Sequence, residues 1–259
     1  MGIGKLFHKQ AKTYKNPLSP ARLIRGTRID DLKIADKPFL VQRGKDPSVV
    51  IVAFTGRAPM LMMPVYEFFD LTNSLGYSRI LLRDKSKRRY HYGIDRRRPD
   101  YQSLLAFLRD QIKKLGAKQM IFIGTSAGGS AAIRIGHDLG ADYVHAFGAQ
   151  TGRSLIAGEK DEREPAMELA PLLKNANRKT LYYLHYCLGY EIDRLHAERV
   201  AGAPGVITLG YPGAIHRVIT PLAQKGLLAK LLLIDNQKHI VAIAREFYGD
   251  EVKVTGESS

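Results

Sequence analysis

Short apolar runs separated by stretches of helical period are what most limits the folds open to this chain. The runs are Val49 to Phe54 (VVIVAF), Arg79 to Leu82, Met120 to Ile123, Tyr143 to Phe147, Leu181 to Cys187 and Val206 to Leu209. Between most of them lie segments such as Val65 to Leu75, Tyr101 to Leu115 and Ala127 to Leu139, whose apolar residues recur at helical spacing. Strands alternating with helices predict an α/β fold with a mainly parallel, open sheet covered by helices on both faces. The segment DLKIADKPFLVQRGKDP, from Asp31 to Pro47, alternates between turn residues and predicts a short antiparallel hairpin at one sheet edge. Gln237 to Tyr248 predicts a closing helix, and 259 residues suit a single domain, from about residue 32 onward.

Charge is concentrated rather than spread. The net charge is +15, of which residues 1 to 28 carry +7 and Arg83 to Arg98 carry +6, so the rest of the chain is nearly neutral. In the first 15 residues, Ile3, Leu6, Phe7, Ala11 and Tyr14 recur at helical spacing among Lys5, Lys9, Lys12 and Lys15. Two readings stand: a basic arm, or an amphipathic helix lying on an anionic membrane surface. Neither basic segment forms a nucleic-acid-binding motif, so nucleic acid is not an expected partner. No apolar stretch has membrane-spanning length, no secretory apolar region follows the start, and Leu6 stands where a myristoylation signal has Ser or Thr. The expected location is the cytoplasm, with peripheral contact at the inner membrane face as a further expectation. The lone Cys187, inside LYYLHYCLG, reads as a buried structural thiol.

Chemistry concentrates at Met120 to Ala132, MIFIGTSAGGSAA. Gly124, Ser126 and Gly128 form G-x-S-x-G directly after an apolar strand and before a helix of small residues, the setting of a nucleophile elbow. Glycines two positions either side of the serine allow strand and helix to approach without a Cβ clash. The competing reading is a glycine-rich turn that only packs or cradles a phosphate, although the Lys-Ser/Thr ending of a P-loop is missing. A serine hydroxyl needs a base, and the base needs a carboxylate to fix its tautomer. His216 in the loop YPGAIH after the last run, and Asp193 in YEIDRLHAERV after LYYLHYCLG, follow successive strand ends. His196 is the rival base and Glu191 the rival acid, whereas His137, His145 and His185 read as packing, surface or sheet-edge residues.

With GTSAGG, a late Asp and a last-loop His in this order, the chain resembles the α/β-hydrolases over roughly Leu32 to Leu232. The resemblance implies acyl transfer to Ser126, with hydrolysis of an ester, thioester or amide through a Ser126–His216–Asp193 triad. It also implies an oxyanion hole formed by the backbone N–H of Ala127 and one from the loop FTGRAPM, where Gly56 and Arg57 are the candidates; the HGGG loop of lipases is not present. Arg83, Arg88, Arg89, Tyr90, His91, Arg96, Arg97 and Arg98 lie in the loop expected above the strand ends, either holding an anionic small-molecule or polymer-linked acyl substrate or serving as a solvated, charged loop. No H-x-x-x-H, C-x-x-C or clustered ligand spacing occurs, so no metal or cofactor is expected. A transacylase using the same acyl-enzyme, and a non-catalytic scaffold binding an anionic polymer or membrane, are the alternative functions.

Overall fold

The computed structural model describes residues 37–58, 60–153, 168–174 and 179–256. The first 31 residues, with their arm and amphipathic-helix readings, lie outside them. The described residues belong to a compact unit built on one eight-stranded sheet in the order β1-β3-β2-β4-β5-β6-β7-β8. The strands are β1 (Phe39–Gln42), β2 (Asp46–Phe54), β3 (Tyr77–Leu82), β4 (Gln119–Thr125), β5 (Tyr143–Phe147), β6 (Leu181–Cys187), β7 (Val206–Tyr211) and β8 (Lys253–Thr255). The six from β2 to β7 pair in parallel, and their side chains are buried almost throughout, as both faces of a helix-covered sheet require.

The helices are α1 (Val65–Asn73), α2 (Tyr101–Leu115), α3 (Ala127–Leu139), α4 (Ala170–Lys174), α5 (Glu191–Glu198), α6 (Ile219–Gln224), α7 (Leu227–Leu231) and α8 (Ile240–Tyr248). In α2, Leu104, Leu105, Leu108, Ile112 and Leu115 make one buried stripe. Asp100 begins the helix by accepting from the Ser103 N–H at 2.7 Å, and Gly116, at φ 78°, ends it in the left-handed region. Among the described residues no helix is long and apolar enough to cross a membrane.

Part of the expected hairpin segment, residues 31–36, lies outside the described residues; the rest forms β1, antiparallel to β3 among the described strands, Phe39 opposite Leu82 and Gln42 opposite Arg79. Both hydrogen-bonding edges of β2 are taken by the parallel strands β3 and β4, so β1 can pair only on the outer edge of β3. Two expectations need correction. The helical stretch from Arg217 to Leu232 is two short helices, interrupted at Gly226 with φ 73°. The closing helix is preceded by a 3-10 turn over Ile234–His239 and is followed by β8, an antiparallel edge strand on β7 that three residues are too few to announce.

From β2 the chain moves outward to β3 and then back across to β4. The crevice between the ends of β2 and β4 is the switch point where open α/β sheets place their sites. FTGRAPM follows β2 there, and Ser126 follows β4.

Candidate active site

Ser126 stands between β4 and α3 with φ 52° and ψ −122°. A residue with a Cβ adopts such a conformation only when its surroundings force it. The flanking glycines supply the force. A Cβ on Gly124 would stand 2.1 Å from the carbonyl oxygen of Gly128, and one on Gly128 would stand 2.3 Å from that of Phe54 and 2.4 Å from that of Thr55. Strand β4 therefore touches the first turn of α3, and α3 touches the end of β2, with hydrogen atoms at the contact points. The Ser126 N–H donates to the Phe147 carbonyl at 2.8 Å, tying the turn to β5. Ala127 opens α3, so helix geometry gives its N–H no carbonyl within the helix.

Asp193 and His216 are brought together. His216 Nδ1 lies 2.8 Å from Oδ2 and 3.0 Å from Oδ1 of Asp193. A carboxylate only accepts, so Nδ1 carries a hydrogen, and in the neutral ring Nε2 then keeps its lone pair. Asp193 is 2% exposed; burial pushes its carboxyl above the ordinary carboxylate range, and the hydrogen bond from His216 opposes that push. The ring of Tyr190 stands 5.5 Å from that of His216.

Gly148, one residue past β5 and at φ 55°, joins this pair to the elbow. A Cβ there would lie 2.8 Å from Asp193 Oδ2 and 3.0 Å from His216 Cε1, while the preceding Phe147 holds the Ser126 N–H. Ser126, Gly148, Asp193 and His216 thus follow four adjacent strands, β4 to β7, at one end of the sheet. Gly148 carries no motif; only its place after an apolar run could have drawn notice to it.

The rival residues are engaged elsewhere. His196, fully buried, accepts the Thr151 N–H on Nδ1 at 3.2 Å. Glu191 is exposed, with Arg194 3.8 Å away. Cys187 is buried, which raises its thiol pKa.

Of the two proposed second oxyanion donors, Gly56 gives its N–H to the Met60 carbonyl at 3.2 Å, so that donor is spent. Gly56 supplies room instead: a Cβ there would sit 3.0 Å from the Thr125 carbonyl oxygen and 3.5 Å from Ser126 Cβ. Arg57 is exposed and lines a shallow pocket beside the elbow, together with Gly56, Ala127, Asp84, Lys87, Arg89 and Tyr90.

The basic loop divides. Arg98 is held by Asp95 and lies over the rings of Phe39 and Phe107, 4.5 and 4.6 Å from their centroids, at the β1 edge three strands away from β4. Arg83 donates its backbone N–H to the Pro38 carbonyl ahead of that same edge strand. Arg98 and the backbone of Arg83 lie at the sheet margin. Tyr90 packs beneath the loop. It is 1% exposed, with its hydroxyl 2.9 and 3.1 Å from the carbonyl oxygens of Leu82 and Thr55, and desolvation strongly raises its pKa. It is an anchor there. His91 lies 3.1 Å from the Arg134 guanidinium, and its pKa falls to about 4 through burial and neighbouring arginines, so it is neutral at physiological pH. Arg88 lies over Tyr92. Arg96 and Arg97 are exposed. Among the described residues no cluster of three or more His, Cys, Asp or Glu is placed to hold a metal ion.

No protein-family model matches the sequence, and no curated protein matches it. Solved structures match its shape. An esterase domain from Rhodothermus marinus aligns with 77% of this chain and 97% of its own, at TM-score 0.51 and 13% identity. Proline iminopeptidase of Mycobacterium smegmatis aligns with 79% and 95%, at 0.53 and 12%. A capsule O-acetyltransferase of Neisseria meningitidis serogroup A aligns with 72% and 87%, at 0.53 and 14%. The chain has the α/β-hydrolase fold.

Proposed function

We propose that this protein is a serine acyl hydrolase, an esterase or deacylase, in which Ser126 is the nucleophile, His216 the general base and Asp193 its orienting carboxylate. The observation that carries the reading is a serine held at φ 52° after β4, together with a histidine after β7, at the same end of the sheet, whose Nδ1 is already committed to a buried carboxylate.

In this scheme Ser126 Oγ attacks the acyl carbonyl while its proton passes to His216 Nε2. The charge that develops on the carbonyl oxygen is met by the Ala127 N–H at the start of α3 and by the Arg57 N–H, each such donor being worth roughly 10²- to 10³-fold in rate. Collapse breaks the bond to the leaving group, which takes the proton from Nε2. Water then repeats the sequence on the acyl-enzyme and restores Ser126. The cationic residues around the adjoining pocket favour a substrate that carries negative charge.

A fluorophosphonate probe tests the nucleophile directly. Wild type is labelled and Ser126→Ala is not; equal labelling of both proteins rejects the assignment. Transfer of the acyl group to an alcohol in place of water is a second reading, favoured by the shape shared with the capsule O-acetyltransferase. An alcohol acceptor that diverts product from acid to new ester supports transfer, and unchanged acid release in its presence rejects it.

A further inference from the structure

The loop between β3 and α2 carries three non-glycine residues with positive φ within four positions: Lys87 at 57°, Arg89 at 56° and Tyr90 at 64°. Each costs backbone energy, and clusters of such strain persist where the surrounding structure over-determines them. Tyr90 is one fixed point. Its ring is buried edge-on to Phe54, its hydroxyl reaches the ends of β2 and β3, and its N–H donates to Asp84 Oδ2 at 2.9 Å. Arg89 is a second. It is 7% exposed, and its guanidinium donates at 2.7 Å to Gln150 Oε1 in the loop after β5, a tie that crosses the ends of β2 and β4. Arg98, between Asp95 and the rings of Phe39 and Phe107, holds the far end.

The acids of this anchored loop are spent on its own structure. Asp84 accepts from the Tyr90 N–H and the Ser86 hydroxyl, Asp95 from Arg98 and the Arg97 N–H, and Asp100 from the Ser103 N–H. Lys87, Arg88, Arg96 and Arg97 are exposed, and none of the four side chains makes an ion pair among the described residues. Lys87 lies beside Ala127 and the elbow; Arg96 and Arg97 form the turn between Asp95 and Arg98, near Phe39 at the start of β1. Three interstrand steps of about 4.8 Å separate β4 from β1, so these cations spread over about 14 Å of surface.

A small anion can meet one or two of them. An extended anion meets all four, and its later contacts form at high effective concentration once the first is made. A single strand of nucleic acid calls for a series of aromatic platforms for its bases, whereas this loop exposes one ring, Tyr92, and Arg88 lies over it at 5.0 Å. We propose that Lys87, Arg88, Arg96 and Arg97 form a docking surface for a linear acidic polysaccharide that runs from the β1 edge to the elbow and bears the acyl ester on its hydroxyl groups. Docking stands on the exposed charges alone; the polymer's part as acyl carrier rests on Ser126 being the nucleophile.

The test measures binding of fluorescently labelled galacturonic acid oligomers by anisotropy. Hexagalacturonate is expected to bind at least about tenfold more tightly than the dimer, the neutral maltohexaose not at all, and the affinity should fall steeply between about 50 and 500 mM salt. Replacing Lys87, Arg88, Arg96 and Arg97 together by Gln should weaken hexagalacturonate binding at least about tenfold, each exposed charge contact being worth a factor of a few. The control replaces four exposed cations at the opposite end of the sheet, Arg43, Lys45, Lys113 and Lys118, by Gln, more than a Debye length away, and should stay within about twofold of wild type. Equal loss in the two variants, or hexamer and dimer bound alike, overturns the docking surface. Tighter binding of an oligouridylate of equal charge, or binding to phosphatidylserine vesicles without binding of hexagalacturonate, overturns it in favour of another partner. With O-acetylated hexamers as substrates, wild type should show a lower KM for the acidic than for the neutral one, and the loop variant should lose the difference; equal KM values overturn the acyl-carrier role. Ser126→Ala should bind hexagalacturonate as wild type does, and equal fluorophosphonate labelling of the two would reject the hydrolase reading while the oligomers still decide docking, so the two failures are separable.

Discussion

Gly148 lies flush against Asp193, so close that a Cβ on the glycine would come within 2.8 Å of the carboxylate oxygen that holds His216. The glycine is itself at φ 55°, a conformation that costs an L-residue about 1–2 kcal/mol. Under the proposed mechanism, Gly148→Ala should therefore lower the denaturation midpoint modestly while reducing kcat on an activated ester by at least about tenfold, because a displaced His216 would miss the serine proton. Chemical denaturation and ester hydrolysis, read side by side, check this; a loss of stability with kcat intact would separate Gly148 from the chemistry.

The elbow glycines predict a different failure. Gly124→Ala and Gly128→Ala drive a methyl into backbone oxygens at 2.1 and 2.3 Å, which neither strand nor helix can yield. Both variants should lose several kcal/mol, as overpacking and backbone displacement do, and be recovered largely as aggregate. Gly116→Ala is the control. Nothing lies within 4 Å of its Cβ position, so only its φ of 78° is strained and the cost stays near 1 kcal/mol. Similar thermal midpoints for all three would disprove the close contact.

Stability should also fall on acidification, and a buried histidine chain is one cause. The Gln237 amide donates to the carbonyls of Leu231 and Leu233, so its oxygen accepts from His145 Nε2 at 2.8 Å. His145 Nδ1 must then accept from His185 Nε2 at 3.0 Å, and His185 Nδ1 from the Tyr211 hydroxyl at 2.9 Å. Both rings are neutral, and burial lowers both pKa values, His145 to about 4. Groups depressed on folding contribute stability that is complete above the unfolded value near 6.5 and fades as pH falls toward the folded value. At pH 5 His145 alone costs about 2 kcal/mol. Urea midpoints measured between pH 7.5 and 4.5 should show the decline, and His145→Phe should flatten it in part, since His91 and His196, each lowered to about 4, titrate in the same window. A wild-type profile level to pH 4.5 rules the account out.

The basic loop separates into structural and exposed charge. Arg98→Ala removes a guanidinium from between two aromatic rings and from Asp95, and should cost about 1–2 kcal/mol. Arg97→Ala, at an exposed position, should change stability by less than about 0.5 kcal/mol. Equal midpoints for the two variants would contradict the division.

What the sequence disclosed, and what it withheld, follows from how local each feature is. Tyr101–Leu115 is readable to the residue because a cap, a periodic face and a terminal glycine lie within one segment, and Ala127–Leu139 because it runs from the elbow serine to Gly140. The elbow is legible for the same reason, with strand, turn and helix contiguous. The meeting of Asp193 with His216 is inferred only from both following strand ends, since 23 residues separate them. Arg89, Gln150 and Gly148 leave no local mark. Their roles come from loops that cross the sheet, and in a run of eight basic residues from Arg83 to Arg98 nothing distinguishes the one aimed over the elbow from the one stacked at the sheet margin. The pairing of β1 with β3 is likewise absent from the local sequence, since it follows from which edge of the parallel sheet is open.

The sheet closes at each side with a brief antiparallel strand, four residues at β1 and three at β8. Bare rows of amide groups on long, flat strands are templates on which other chains polymerise. β8 covers Thr208 to Gly210 of β7, and the hydroxyls of Thr208 and Thr255 meet at 2.6 Å. The few residues from Val252 to Thr255 therefore act as a stopper on a strand rich in β-branched and aromatic side chains. A chain cut before them would keep every group of the candidate site and yet be expected to cluster with its own copies.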